Sequence, residues 1–491
     1  MIYINVLNKC DNTVCNNLEY DLRALLKAFY PSEEIINKPQ QTAFMNAELV
    51  CDDLTVYFSL KSQEKTLISR QFCVSDDLKD KFDNMLYEAL SGLCGRELPW
   101  GMLTGIRPTK IVYSLIEKGM SDEQSAAYLT EHYKVSRRKA LLAVSIANKE
   151  KMILDKIDYK DGYSLYIGIP FCPTTCLYCS FTSYTIALFK KKTDMYLDCL
   201  IKELQYVSKR FNGKHPDTVY IGGGTPTTLE ANQLDRLLTE IENNFDVSEV
   251  LEFTVEAGRP DSVDAEKFEV LRKHGIDRIS INPQTMNQKT LDLIGRKHTV
   301  DDVCRAFSLA RSAGFGNINM DIIVGLPGET KEDVCYTLER IKEMKPDSLT
   351  VHSLALKRAA KLNIKKDDYS GYAIENTDEI ISMTMDYAKD MGLFPYYMYR
   401  QKNMAGNFEN VGYSKEGKEG IYNILIMEEK QTITAVGAGA STKLVFPYNG
   451  RIERVENVKD VNTYMERIDD MIERKRVGFD MLFERGNFDA G

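Results

Sequence analysis

Between residues 163 and 352, short apolar runs alternate with longer stretches in which apolar residues return every three or four positions. The runs are Leu165 to Ile169, Thr218 to Ile221, Leu251 to Val255, Arg278 to Ile281, Ile318 to Val324 and Ser348 to His352. The intervening stretches include Thr193 to Phe211, Ala231 to Asn244 and Lys331 to Met344. The first pattern predicts buried strands and the second amphipathic helices. Six strand–helix units in series imply a parallel sheet covered by helices and joined by right-handed crossovers. Six is fewer than the eight of a closed barrel, so the expected shape is an open, partial barrel. Ligands then belong at the carboxyl ends of its strands.

Flanking this α/β block, residues 1–95 read as an α+β unit. It has strands at Ile2 to Leu7, Leu54 to Leu60 and Thr66 to Cys73, and helices at Asn17 to Phe29 and Leu78 to Leu93. Residues 96–158 read as a helical linker region that opens on Pro99 to Thr109 and carries the only tryptophan. The partial barrel occupies 159–370 and a short C-terminal extension 371–491. In the extension a helix is expected at Ala373 to Met391, a strand at Phe394 to Tyr399 and a final helix near Val461 to Lys475. A glycine-rich loop, Gly437 to Ser441, lies between them.

With 491 residues the chain is long enough for two or three such units. No run of about eighteen apolar residues is present, so no membrane span is expected. Met1 to Leu7 lacks the basic start of a secretory signal, which points to the cytoplasm. A formal net charge of -9 argues against nucleic acid as a main partner. Of eleven cysteines, eight stand apart (Cys10, Cys15, Cys51, Cys73, Cys94, Cys199, Cys304 and Cys335), and in a reducing compartment these read as small buried apolar groups.

The other three form Cys172-Pro173-Thr174-Thr175-Cys176-Leu177-Tyr178-Cys179, directly after the first barrel strand. Three soft thiolates without a fourth nearby can hold three irons of a cubane and leave one iron open. A structural zinc site, the alternative, needs a closed set of four, and the nearest downstream histidine is His215. The spacing resembles the radical S-adenosylmethionine (SAM) superfamily. The lead-in Tyr166-Ile167-Gly168-Ile169-Pro170-Phe171-Cys172 is similar to its oxygen-independent coproporphyrinogen III dehydrogenase group. The HemZ-type branch of that group also looks similar through Pro99 to Thr109.

This resemblance implies a partial (β/α)6 radical SAM barrel, a [4Fe-4S] cluster on Cys172, Cys176 and Cys179, and SAM on the open iron. Gly222-Gly223-Gly224-Thr225-Pro226-Thr227 follows the second strand. Read alone it is either a tight βα turn or a place where backbone approaches a ligand. The resemblance makes Gly223, Gly224 and Thr225 part of a SAM-binding turn. It likewise places Glu256, Gln284, Arg296, Asp321 and Ala355 among SAM contacts, with Tyr166 and Tyr178 as aromatic contacts. On its own sequence context, Asp321 inside an apolar run reads first as half of a buried salt bridge, and it is the resemblance that shifts it to a SAM contact.

The implied activity is oxygen-independent oxidative decarboxylation of coproporphyrinogen III propionates to vinyl groups, in anaerobic haem and porphyrin biosynthesis. The partners it implies are a tetrapyrrole substrate and a flavodoxin- or ferredoxin-type reductant. Lys357, Arg358, Lys361, Arg400 and Lys402 are candidates to meet propionates, or plain surface charge, and Tyr396 to Tyr399 could wall a macrocycle or fill a core. Several positions depart from the group. Phe181 stands where its decarboxylases carry a further cysteine, and Gly168 where they carry a histidine. The related haem chaperones have His-Asn-x-x-Tyr-Trp where this chain has Glu409-Asn410-Val411-Gly412-Tyr413-Ser414, without the imidazole that favours haem iron. A haem-trafficking protein that keeps the cluster, and a radical SAM haem-modifying methyltransferase, are the competing expectations.

Overall fold

The computed structural model describes residues 1–8, 13–31, 33–38, 43–62, 65–105, 107–355, 360–364, 369, 371–400, 405–446 and 449–485. The chain forms two compact units, 1–144 together with 400–408, and 145–399 together with 409–491. The segments drawn from the sequence are therefore grouped differently. Residues 1–95 share a unit with much of 96–158, and most of 371–491 joins the barrel because its strands extend the barrel sheet.

In the first unit, five strands run in the order Ile35–Ile36, Ile2–Asn8, Met45–Cys51, Thr55–Ser62, Lys65–Cys73. The pair Ile2–Asn8 and Met45–Cys51 is parallel, and the last three strands form an antiparallel meander. Burial alternates strictly along Met45–Cys51, which places Met45, Ala47, Leu49 and Cys51 in the core. Leu18, Leu22, Leu25 and Phe29 from one helix, and Phe82, Leu86 and Leu90 from another, pack into the same core. Arg400 donates to the Leu103 carbonyl at 2.6 Å and to the Asn407 carbonyl at 2.8 Å, and lies over the Trp100 ring. It is thus a buried tie within this unit rather than a cation presented to propionates.

The second unit is built on β1 (Tyr163–Ile169), β2 (Thr218–Gly223), β3 (Glu252–Glu256), β4 (Arg278–Ser280), β5 (Asn317–Val324) and β6 (Ser348–Ser353). All six are parallel neighbours in sequence order, as the alternating pattern predicts. Beyond β6 lie the antiparallel β8 (Asn410–Ser414) and then β7 (Phe394–Tyr399). On the other edge β9 (Thr432–Val436) pairs parallel with β1, and β10 (Ser441–Val445) and β11 (Ile452–Glu456) continue antiparallel.

The register gives the sheet two unlike faces. Leu165, Ile167, Val219, Ile221, Val255, Ile279, Ile318 and Met320 are buried on one face, the side that amphipathic helices cover. The alternate positions are polar and bond to one another. Thr218 donates to Ser164 (2.8 Å), Ser164 to Gln431 (2.7 Å) and Thr254 to Glu252 (2.6 Å). Arg278 donates to Asn317 (2.8 Å) and to the Lys418 carbonyl (2.9 Å). The helix Ile421–Glu428 closes this polar end: the Tyr422 backbone N–H donates to Glu252, and its ring stacks on Tyr220 at 4.4 Å.

A buried ion pair fastens the C-terminal elements to this unit. Lys475 and Glu203, both fully buried, meet at 2.6 Å. Tyr464, Asn457 and the Gly437 N–H also donate to Glu203, so the desolvated carboxylate is fully paired.

Candidate functional site

The cysteine loop is held by backbone and by one apolar anchor. Phe171–Cys172 pairs with Tyr184–Thr185, and the N–H groups of Gly224 and Thr225 donate to Ile169 (2.8 Å) and Phe171 (2.7 Å). A β-carbon at Gly224 would lie 2.5 Å from the Phe171 carbonyl oxygen, and Gly223 has φ 105°, so this turn requires glycine at both positions. Leu177 donates to the Ile294 carbonyl and its own carbonyl accepts from Leu362. Its side chain packs with Leu291, Ile294, Leu326 and Leu354 in a small apolar cluster, a burial worth about 1.5–3 kcal/mol. The three flanking thiols are thereby fixed at the strand-end side of the barrel.

Burial pushes the Cys179 thiol up to about 11 and raises that of Cys172, and the neighbouring thiols push each further in the same direction. Cys172 and Cys179 become thiolates together only beside strong positive charge, which a bound metal supplies.

Polar side chains ring the same end of the sheet. Tyr220 donates to Glu256 at 2.6 Å, and Tyr166 stacks against Tyr220 and Tyr422. Burial raises the Glu256 carboxyl to about 7 in spite of that hydrogen bond. Burial also acts on Asp321, but His352, Asn319 and Thr350 outweigh it and hold this carboxyl below the usual range. Asn319 donates to Asp321 at 2.7 Å, His352 stands 3.7 Å from it, and Tyr399 meets the other ring nitrogen of His352 at 3.3 Å.

Gln284 adopts φ 67°, a left-handed backbone that glutamine rarely takes, and is clamped there by bonds with Asp321 and Ile323. Among the described residues its Oε1 is buried without a hydrogen-bond partner, as are Arg296 Nε and Asn282 Oδ1. Orphaned buried polar atoms at strand ends mark positions where a polar ligand completes the bonding. Ala355 follows Leu354, whose N–H bonds the Val324 carbonyl, and Tyr178 sits beside Arg296.

A family model for the radical SAM superfamily matches residues 166–341. The oxygen-independent coproporphyrinogen-III oxidase-like protein HemZ of Bacillus subtilis (strain 168) is 40% identical over 435 residues, which covers 88% of this chain and 85% of that protein. The chain belongs to this radical SAM family. Another relative of the family is the heme chaperone HemW of Lactococcus lactis subsp. lactis (strain IL1403), 33% identical over 57% of this chain and 69% of that one. The solved coproporphyrinogen III oxidase HemN of Escherichia coli shares the fold, with a TM-score of 0.51 at 23% identity over 66% of this chain and 73% of that one.

Radical SAM proteins take a [4Fe-4S] cluster and SAM, and the residues present fit both. Among the described residues no three His, Cys, Asp or Glu side chains are gathered as tightly as a single metal ion would need. A cubane binds each of its three cysteines through a separate iron and so asks for a wider spread. The glycine turn and the unpartnered Gln284 and Arg296 atoms provide backbone access and polar partners beside it.

Sequence reasoning passed over several residues of this end. Arg259, His298 and Tyr422 stand outside the six strand runs and outside the cysteine and glycine motifs, and His352 only closes the last of those runs, so no local pattern singles them out. Tyr396 and Tyr397 are core, while Tyr399 reaches His352. Lys357, Arg358 and Lys402 lie outside the described residues, and Lys361 is exposed. The isolated cysteines meet the expectation of buried apolar groups only in part: Cys51 lies in the core of the first unit, and Cys10 lies outside the described residues. Cys51 is disulfide-bonded, Cys73 is exposed, and Cys94, Cys199, Cys304 and Cys335 are half-buried on element surfaces. Sequence spacing does not reveal which thiols the fold brings together. A β-carbon at Gly168 would lie 3.2 Å from the Val436 carbonyl oxygen, so the adjoining β9 favours glycine there over histidine.

Proposed function

We propose that the chain is a radical SAM oxidoreductase of anaerobic tetrapyrrole metabolism that converts propionate side chains of coproporphyrinogen III to vinyl groups. In this reading Cys172, Cys176 and Cys179 bind the cluster. Gly223, Gly224, Thr225, Glu256, Gln284, Arg296, Asp321 and Ala355 bind SAM, with Tyr166 and Tyr178 alongside. When bound, the cluster supplies the electron that cleaves SAM into methionine and a hydrogen-abstracting 5'-deoxyadenosyl radical. The protein's part is placement: Arg296 is a cation for a carboxylate, and Glu256 and Asp321 accept from hydroxyl or ammonium groups. The stacked tyrosines below exclude water from the strand-end basin. The deoxyadenosyl radical takes one hydrogen atom from the propionate and becomes 5'-deoxyadenosine, and loss of CO2 together with one electron, which passes to a one-electron acceptor, leaves the vinyl group.

The observation that carries an enzyme over a haem carrier is the setting of residues 410–414. The stretch corresponding to the chaperones' haem motif is β8, buried along its whole length, with Glu409 buried beside it. It is sheet core rather than a loop able to ligate iron. Anaerobically reconstituted protein, given reductant, SAM and coproporphyrinogen III, is expected to release 5'-deoxyadenosine and protoporphyrinogen IX. Stoichiometric haem binding without SAM turnover would instead establish the carrier reading, and S-adenosylhomocysteine among the products would establish methyl transfer.

A further inference from the structure

One buried cation beside the cysteine loop has no part in the assignments above. Arg259 follows β3 and is 3% exposed. Its Nε and Nη2 fork onto the two oxygens of Asp261 at 2.8 and 2.7 Å, which fixes the plane of the guanidinium. The remaining nitrogen, Nη1, is thereby aimed at the loop. It lies 3.0 Å from Thr174 Oγ1, 3.4 Å from the Thr174 carbonyl and 3.5 Å from Cys176 Sγ. Thr174 donates in turn to the Gly295 carbonyl at 2.9 Å, so both sides of the contact are anchored. Burial and two neighbouring arginines hold the fully buried His298, 3.8 Å from Asp261, toward its neutral form. Asp261 is held well below the usual carboxylate range, since the nearby His298 ring and the Arg259 fork outweigh its burial.

We propose that Arg259 is a positioning residue for the cluster, which orients the Cys176 sulfur and sets the ease of cluster reduction through an N–H···S hydrogen bond. The inference rests on Cys176 being an iron ligand. Desolvating an arginine is costly, and the Asp261 pair alone would be as well served at the surface. What the buried placement adds is a fixed donor on a sulfur. Hydrogen bonds to cluster sulfurs and nearby positive charge stabilise the more negative, reduced state and so raise its potential. Arg296 lies near the same sulfur and contributes charge from β4's side of the loop. Arg259 differs in having its orientation locked by a carboxylate.

The test is an EPR-monitored redox titration of the full chain after anaerobic reconstitution, comparing wild type with Arg259→Gln and Arg259→Lys. Arg259→Gln is expected to keep its iron and sulfide yet be about tenfold harder to reduce, a downward shift of about 59 mV for one electron. Arg259→Lys, which keeps the charge but not the fork, is expected to fall between. A fully loaded Arg259→Gln with the wild-type potential and EPR spectrum overturns the proposal. If Arg259→Gln does not hold a cluster, a wild-type potential in Arg259→Lys overturns it equally. Wild-type protein that takes up no iron and sulfide refutes the cluster assignment itself, which separates the two failures.

Discussion

Glu256 sits where burial and a single tyrosine hydrogen bond leave its carboxyl near pH 7, far from its ordinary value of 4.5. The folded state therefore binds this proton more tightly than the unfolded chain does. Its contribution is fully present below about pH 4.5 and is lost as pH rises through about 7. Glu256→Gln is expected to remove that slope, so that the variant gains roughly 1–3 kcal/mol on wild type between pH 5 and 8. Urea unfolding of both proteins across that range measures it. At the cysteines, Cys176→Ala should reduce iron uptake on reconstitution to background without altering far-UV circular dichroism, because Leu177 and the backbone bonds still seat the loop. A variant that retains a full cluster would exclude Cys176 as a ligand. The placement of the cysteines, the glycine turn and Glu256 at strand ends was legible because each occupies a fixed offset from an apolar run. Arg259 and His352 were not, since their meaning comes from residues that are distant in sequence, such as Thr174 for the first and Tyr399 for the second.

Among elements, the six parallel strands were readable because their helix-facing positions are apolar at every alternate residue, mostly Ile, Val and Leu. Of the longer strands, Met45–Cys51, β8, β9, β10 and β11 were missed. The first carries Asn46 and Glu48 on its open face, and the others mix glycine, threonine or charged residues with apolar ones. The helix at Ala373 to Met391 begins only at Asp378, because Thr377 caps it by accepting from the Ile380 N–H. The expected final helix is two, Val461–Glu466 and Ile468–Arg485. The short helix Ile421–Glu428 matters most for the site's floor. Tyr422→Ala would remove the ring stacked on Tyr220 and Tyr166 and leave a cavity next to the buried Glu252 carboxylate. A loss of about 3–5 kcal/mol in chemical denaturation is expected. A loss below 1 kcal/mol would mean that the stack is not part of the packed floor.

For the whole molecule, the barrel unit owes its integrity to chain that follows long after the βα series. β9 supplies the neighbour of β1, and Lys475 neutralises Glu203 beneath the Gly437 turn. Truncation after residue 430 is expected to leave the β1 edge unpaired and Glu203 without its cation. Breaking such a buried pair costs about 3–5 kcal/mol even before the lost strand is counted. The truncated chain should be recovered mostly as aggregate, and a soluble, cooperatively melting product would show that β1 is stable as an edge. The placement of β9 also bears on biogenesis. While ribosomes synthesise residues 170–431, on the order of tens of seconds, the nascent β1 has β2 on one side and nothing on the other. A chaperone that shields that bare strand, or a slow stretch of translation before Thr432, would then govern how much of this protein survives to receive its metal.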